Sequence, residues 1–444
     1  MSRSIAHAVW HASLALRPET RRSLAEARLM ATASASQLAA RQAERLQSVV
    51  RAARRAPGYR ARLAAAGLDG DAPVTQEAFS RIPVLTRADV RTLGDQLCAV
   101  PVAGLFRNAS GGSTGEPVTI WQDRAYTHAL LGAKFFFYEL MGLHYADPCV
   151  LLWGSERDIL AGAESFVART KNWLLGRHFI NAFRLREPDV DAFCDLVGIG
   201  GDVWVLAYVQ SIREVARAIE REPSRRVRPR AVVCSAGVLD APTAALISRV
   251  CGCPVFNRYG SREVGDMAGS CIAGQLHTLP HMHVLELLDE QDRPVPAGEP
   301  GRVVVTSLTN HVMPLIRYDL GDLAVASTEP CACGRALPAL SRIVGRQVEV
   351  LHLANGSIVD GEYFAHMFYA RPYCRQFQVR QLSDRVVEIL IATNDVPAVE
   401  RDTDTLIRES RAALGPDVRV IVRPVSEIAA TGSGKTPMIT QVGH

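Results

Sequence analysis

Short, unbroken apolar runs separated by helical text constrain this fold more than any other feature. Residues 149–153, 203–207 and 231–234 carry almost no polar side chains, so each reads as a strand buried on both faces. Such strands need helices above and below them, which a parallel sheet with helical crossovers supplies. Helical segments follow at residues 128–142, 211–220 and 241–251, the last with Asp240 as its N-cap and Pro242 in its first turn. Helices rich in alanine, leucine and arginine precede this pattern over residues 20–68 and end at Gly67.

Beyond residue 284 the texture changes. Residues 284–288 and 301–307 read as strands around a turn at 290–298. A separate C-terminal unit follows. It has a hairpin of residues 377–382 and 386–392, an amphipathic helix over 400–414 stopped by Gly415-Pro416, and a strand at 418–422. The expected fold class is α/β: a large N-terminal domain of mixed sheets and helices, residues 1–345, opening with a helical segment of residues 1–70. A small α+β domain, residues 346–444, completes it.

A chain of 444 residues can bury one large core and a smaller one. Its 48% hydrophobic and 22% charged residues are those of a globular protein. The net charge of +4 is small for this length, which argues against nucleic acid or an anionic membrane as partner. No apolar run reaches the roughly 18 residues a membrane span needs, and residues 4–16 lack the basic start and apolar block of a signal peptide. The ten cysteines are scattered rather than arranged as a secreted scaffold, which points to reduced thiols or metal ligands in the cytoplasm. Only three lysines occur, Lys134, Lys171 and Lys435, so a lysine standing where chemistry would use one is conspicuous.

Three constellations carry chemistry. Asn108-Ala109-Ser110-Gly111-Gly112-Ser113-Thr114-Gly115-Glu116-Pro117 is a glycine- and hydroxyl-rich loop able to wrap an anion through backbone N–H groups; a plain surface turn is the alternative. Gly432-Ser433-Gly434-Lys435-Thr436 ends like a nucleotide P-loop. That motif, however, requires glycine where Ala429 stands and a long helix after it. Cys271, His277, Cys331 and Cys333 offer three thiolates and an imidazole, the ligand set of a closed, structural zinc site; unligated thiols are the alternative. His281 and His283 could substitute for His277, but they alternate about a strand leading into Val284 and read as ordinary packing or surface histidines; Cys251-Gly252-Cys253 reads as a helix end.

The glycine-rich loop resembles the phosphate-binding segment of adenylate-forming enzymes, usually Ser-Gly-Thr/Ser-Thr-Gly-Lys-Pro, and further motifs of that superfamily follow in order. Arg258-Tyr259-Gly260-Ser261-Arg262-Glu263 is similar to its Tyr-Gly-x-Thr-Glu, and Tyr318-Asp319-Leu320-Gly321-Asp322 to its Tyr-x-x-Gly-Asp. Gly345-Arg346 resembles its hinge, and Gly432-Ser433-Gly434-Lys435 its C-terminal lysine segment. The branch of phenylacetate–CoA ligase and capsular-biosynthesis proteins is the closest in text. Ala52-Ala53-Arg54-Arg55-Ala56-Pro57-Gly58-Tyr59-Arg60 and Arg81-Ile82-Pro83-Val84-Leu85-Thr86-Arg87 resemble its opening. Leu276-His277 and Cys331-Ala332-Cys333-Gly334-Arg335 resemble its metal-binding pattern.

The resemblance implies roles. Ser110, Gly111, Gly112, Ser113, Thr114 and Gly115 would hold the phosphates of ATP. Ser235, Ala236 and Gly237 would line the adenine edge, with Tyr259 against the ring and Gly260 and Ser261 beside it. Asp322 would accept the ribose hydroxyls, and Glu263 with Arg262 would serve Mg²⁺ and the reaction. Arg346 would open the hinge of a mobile lid that delivers Lys435. The implied activity is ATP-dependent conversion of a small carboxylic acid to acyl-AMP with release of pyrophosphate, then transfer to coenzyme A. An amine or a carrier-protein thiol is the rival acceptor, and the sequence does not choose among aryl, fatty and amino acids. Phe135-Phe136-Phe137-Tyr138 would line an acyl pocket or belong to the core.

The physics agrees. Attack of a carboxylate on an α-phosphate brings two anions together, so the site must hold the triphosphate, neutralise charge and align the attack. Four departures stand out: Glu116 replaces a lysine, Arg262 a threonine and Val348 a polar hinge residue, and residues 235–237 lack a glutamate. Glu116, Arg262 and Val348 motivate a rival reading as a nucleotide-binding relative without turnover, which the retention of Glu263, Asp322 and Lys435 opposes.

Overall fold

A computed structural model describes residues 3–109, 118–153, 170, 172–182, 185, 187–222, 224–346, 350–353, 358–360, 364, 367–368, 371, 373–429 and 438–441. The chain forms two compact units. One comprises Met1–Asn108, Thr119–Leu320 and Ala324–Ile343; the other comprises Ala109–Val118, Gly321–Leu323 and Val344–His444.

An eleven-stranded sheet organises the first unit. From edge to edge it runs His283–Leu288, Pro300–Ser307, Tyr318–Ala326, Ala339–Arg346, Leu276–Thr278, Gly265–Ser270, Val255–Ser261, Val232–Ser235, Trp204–Tyr208, Cys149–Trp153 and Arg177–Asn181. The strands from Arg177–Asn181 to Val255–Ser261 are parallel, and the hairpin into Gly265–Ser270 begins the antiparallel half. The three apolar runs form the parallel centre, as their two-sided burial requires.

Helix Val209–Arg221 shows why the crossovers pack there: Val209, Ile212, Val215, Ala216 and Ile219 recur on one face and are all buried. Helix Ala241–Cys251 begins where the Asp240 carboxylate accepts the Thr243 N–H at 2.6 Å. It ends at Gly252 in the left-handed conformation. Cys251 and Cys253 therefore flank a helix terminus inside the apolar core.

On the other face of the sheet, helix Arg124–Leu140 carries the aromatic cluster. Phe135, Phe136, Phe137 and Tyr138 are all buried in the same core. Trp10 meets Phe135 edge-on at 4.5 Å, and Trp204 lies 4.9 Å from Tyr138. These aromatics are core.

The N-terminal helices Arg3–Ala15, Pro18–Met30 and Ala35–Ala53 cover this layer. Pro18–Met30 approaches Arg124–Leu140 at Gly132, where an added Cβ would lie 2.5 Å from Ser23 Cβ and 2.7 Å from the Leu24 nitrogen. Overpacking of this kind costs about 1–3 kcal/mol, so Gly132→Val is expected to lower the thermal midpoint. An unchanged melt would refute a close approach of the two helices.

The second unit holds a four-stranded sheet in the order Arg419–Val425, Val386–Ala392, Gln376–Ser383, Ile439–Gln441. Its central pair is an antiparallel hairpin and its outer strands join in parallel. Helix Val396–Leu414 starts at Asp395, whose side chain accepts the Ala398 N–H at 3.0 Å, and buries Val399, Leu406 and Leu414. Among the described residues, no helix is long and apolar enough to cross a membrane.

Candidate nucleotide and metal sites

Two of the candidate nucleotide segments, residues 235–237 and 259–263, lie at the carboxyl ends of adjacent parallel strands, the edge where open α/β sheets bind ligands. Strand Val232–Ser235 ends with the Ser235 hydroxyl donating to the Arg258 carbonyl at 3.2 Å. Ala236 follows with φ of +55°, a left-handed conformation uncommon outside glycine. Gly237 sits against Val209, whose Cβ would lie 3.1 Å from a Cβ at that position. These three residues therefore turn beside the start of the Arg258–Glu263 motif.

That motif runs along strand Val255–Ser261 into a tight turn at 262–264. Buried Tyr259 pairs with Ala268 across the hairpin, and the register shifts between Tyr259 and Gly260. A Cβ on Gly260 would lie 2.7 Å from the Gly265 oxygen and 2.9 Å from Asp266 Cα, so only glycine fits there.

Side chains from three elements hold the carbonyls of the turn. Asn108 Nδ2 donates to the Arg262 carbonyl at 2.8 Å, the Tyr126 hydroxyl to Glu263 at 3.4 Å, and His283 Nε2 to Val264 at 3.0 Å. Burial lowers the His283 pKa to about 4, against the hydrogen bond to Val264, so the imidazole is neutral near pH 7. His283 thus belongs to this turn and not to the cysteines.

Glu263 is 3% exposed, although it stands in a hairpin turn. A carboxylate so buried needs a counter-charge, and Arg87 Nη2 provides it at 2.6 Å. Arg87 opens helix Arg87–Leu93, which Thr86 and Asp89 cap reciprocally. The sequence placed Arg87 in a recognisable opening segment without assigning it a partner.

That opening segment is tied to the Pro314–Asp322 segment. The Leu85 N–H donates to the Arg317 carbonyl at 2.8 Å, and the Asp319 N–H to the Leu85 carbonyl at 2.9 Å. Buried Arg317, at φ +50°, donates to Glu286 at 3.0 Å and to the carbonyls of Ser80 and Ile82 at 2.6 Å each. Asp322 lies farther along strand Tyr318–Ala326, just after Gly321 at φ +73°.

Cys271, His277, Cys331 and Cys333 come together. Their ligand atoms lie within 4.8 Å of one another. Cys271 Sγ is 3.5 Å from Cys331 Sγ, and Cys333 Sγ is 3.2 Å from His277 Nε2. Tetrahedral zinc with ordinary bond lengths would hold such donors about 3.5–3.8 Å apart. His277 Nδ1 donates to the Leu337 carbonyl at 3.0 Å, which fixes the tautomer and leaves Nε2 free to ligate. Burial raises the Cys333 pKa, but hydrogen bonds with Arg335 and Cys331 and the neighbouring His277 together bring the thiol down to about 6. The donor set fits zinc.

Ser110, Gly111, Gly112, Ser113, Thr114, Gly115, Glu116, Val348 and Lys435 lie outside the described residues, and of Arg346 only the backbone, closing strand Ala339–Arg346, is described.

No protein-family profile matches the chain. It is 27% identical over 455 residues to phenylacetate-coenzyme A ligase of Thermus thermophilus, covering 90% of this chain and 95% of that protein. Protein CapK of Staphylococcus aureus is 21% identical over 370 residues, covering 82% and 80%. Among solved structures, 2-hydroxyisobutyryl-CoA ligase in its postadenylation state with 2-HIB-AMP superposes with a TM-score of 0.72 at 19% identity, covering 93% and 91%. The anthranilate CoA ligase AuaEII with anthranoyl-AMP gives 0.54 at 16% identity, covering 74% and 65%. The structural likeness is one of fold, and the two relatives that align over most of the chain support the adenylate-forming enzyme superfamily, in the branch of phenylacetate–CoA ligase and CapK, as what this chain is similar to.

Proposed function

We propose that the protein activates a carboxylic acid with ATP as an acyl-AMP, releasing pyrophosphate, and then passes the acyl group to coenzyme A. The observation that carries this reading is the buried, clamped Glu263 at the end of the motif whose first residue, Arg258, is held by Ser235. This is an acid where a magnesium nucleotide would need one. In this reading Ser110–Gly115 cradle the phosphates, Tyr259, Gly260 and Ser261 lie along the adenine, Asp322 accepts the ribose hydroxyls, and Arg262 and Glu263 face the reacting phosphate. Arg346 is the hinge into a C-terminal domain, residues 346–444, that carries Lys435. Magnesium, when bound, supplies charge neutralisation for the triphosphate. Zinc at Cys271, His277, Cys331 and Cys333 is structural, because four protein donors leave no open position. Ten cysteines without a disulfide among the described residues support a reducing compartment, the cytoplasm.

Two substitutions separate the nucleotide roles. Asp322→Ala is expected to weaken ATP binding with a smaller effect on the chemical step, whereas Glu263→Gln should slow chemistry and alter the magnesium dependence. Carboxylate-dependent pyrophosphate exchange over a panel of acids measures both and identifies the acid. Unchanged ATP affinity in the first variant together with an unchanged magnesium response in the second would remove these assignments. The dependence of AMP release on added coenzyme A, amine or carrier protein identifies the acceptor.

A further inference from the structure

We infer that Arg87 is a positioning residue that occupies the Glu263 carboxylate until the metal arrives, and so sets how much magnesium the enzyme needs. This rests on the reading of Glu263 as a magnesium ligand. Its starting point is the ion pair itself, a guanidinium nitrogen 2.6 Å from an oxygen of a carboxylate that is 3% exposed. A divalent cation reaching that oxygen must take the place of the guanidinium.

Three observations say which partner moves. The Glu263 turn is held at three successive carbonyls by Asn108, Tyr126 and His283, so the carboxylate is not free to retreat with its backbone. Arg87 is more accessible, with a side chain 21% exposed at the first position of a short helix. That helix has no electrostatic need for arginine there, because a cation at a helix N-terminus opposes the macrodipole and Asp89 already supplies the favoured acid. The arginine is therefore explained by Glu263, 176 residues away in sequence. In the metal-free protein it satisfies a buried charge that would otherwise be costly to keep ionised. As the metal binds, the guanidinium swings out and the fixed carboxylate stays. The resting ion pair thus lowers the apparent magnesium affinity by the fraction of molecules in which Arg87 holds the site.

The test uses the full-length chain and four proteins: wild type, Arg87→Ala, Arg87→Lys and Glu263→Gln. Manganese, as a magnesium stand-in, is titrated by electron paramagnetic resonance with ATP present and no acid, so that binding is read without turnover. Magnesium titrations of pyrophosphate exchange run in parallel. Arg87→Ala is expected to lower the metal concentration at half-saturation roughly threefold or more, even where its maximal rate falls, and Arg87→Lys to restore the wild-type position. An unchanged or raised half-saturation in Arg87→Ala overturns the proposal. If Arg87→Ala does not fold, Arg87→Gln, which keeps a hydrogen-bond donor without the charge, must show the same lowering or the proposal falls. Glu263→Gln separates the two ideas. If it leaves metal binding unaltered, the reading of Glu263 as ligand fails and takes this inference with it. If it weakens metal binding while Arg87→Ala changes nothing, only the role of Arg87 fails.

Discussion

Replacing Lys435 by alanine should reduce acyl-AMP formation by about 10²-fold or more while circular dichroism and the thermal melt stay at their wild-type values. The reaction sets the size of the effect. A carboxylate attacking a phosphate increases negative charge where two anions already meet, and one positioned cation there contributes in the transition state far more than in the ground state. Lys435 is one of three lysines in a chain otherwise charged by arginine, and it follows Gly432-Ser433-Gly434, a backbone that allows a close approach. The loss should therefore fall on the maximal rate of pyrophosphate exchange more than on ATP affinity. Near-normal acyl-AMP formation by the variant would refute the role. Acid-dependent exchange in the wild type, at any measurable rate, would dispose of the rival view that this chain binds nucleotide without turnover.

The second large effect concerns the metal clip. Protein purified without chelator should carry one zinc per chain, with Zn–S near ~2.3 Å and Zn–N near ~2.0–2.1 Å by X-ray absorption. Cys331→Ser should lose the metal and several degrees of thermal stability before the chemical step is affected. The four donors come from two segments about sixty residues apart in sequence, and they bracket the strands that lead to Asp322. Where a site forms only on folding, metal-binding free energy is folding free energy, up to about 10–16 kcal/mol in isolated zinc fingers. Here the surrounding sheet supplies part of the order, so a smaller share is expected. Substoichiometric zinc, with Cys331 and Cys333 freely alkylated in the folded protein, would leave these residues as ordinary thiols.

How legible each feature was follows from its physical origin. The central parallel strands were readable because burial on both faces writes itself as an apolar run, and the helix after Asp240 because a cap is a local signal. Strand Arg177–Asn181 was not foreseen: it is an edge strand, and its Phe179 is half exposed. Strand Gly265–Ser270 was also missed. Its small residues resemble a loop, yet Gly269 is small because the Phe137 ring packs over it, leaving 2.6 Å between that ring and an added Cβ. The aromatic run 135–138 has the same spacing whether it lines a cavity or fills a core, and packing alone separates the two. The Cys-x-Cys pattern and His277 could be read as metal chemistry from the sequence, while the role of His283 at the Glu263 turn needed the fold. The Arg87–Glu263 pair and the clamped carbonyls leave no trace in sequence, since any chain has carbonyls and the partners are distant.

The clamped turn also has a consequence for when the protein becomes competent during its own synthesis. Two of the three carbonyl contacts close over 154 and 137 residues, and the third waits for His283, 19 residues downstream. Contacts of such separation form late, after the entropy of long loops has been overcome. A ribosome-bound chain that has emerged from the exit tunnel as far as residue 275 can already hold the parallel strands, yet its Glu263 turn lacks one anchor. Release of His283 from the exit tunnel should therefore mark the moment at which protection of the 262–264 amides from hydrogen exchange rises.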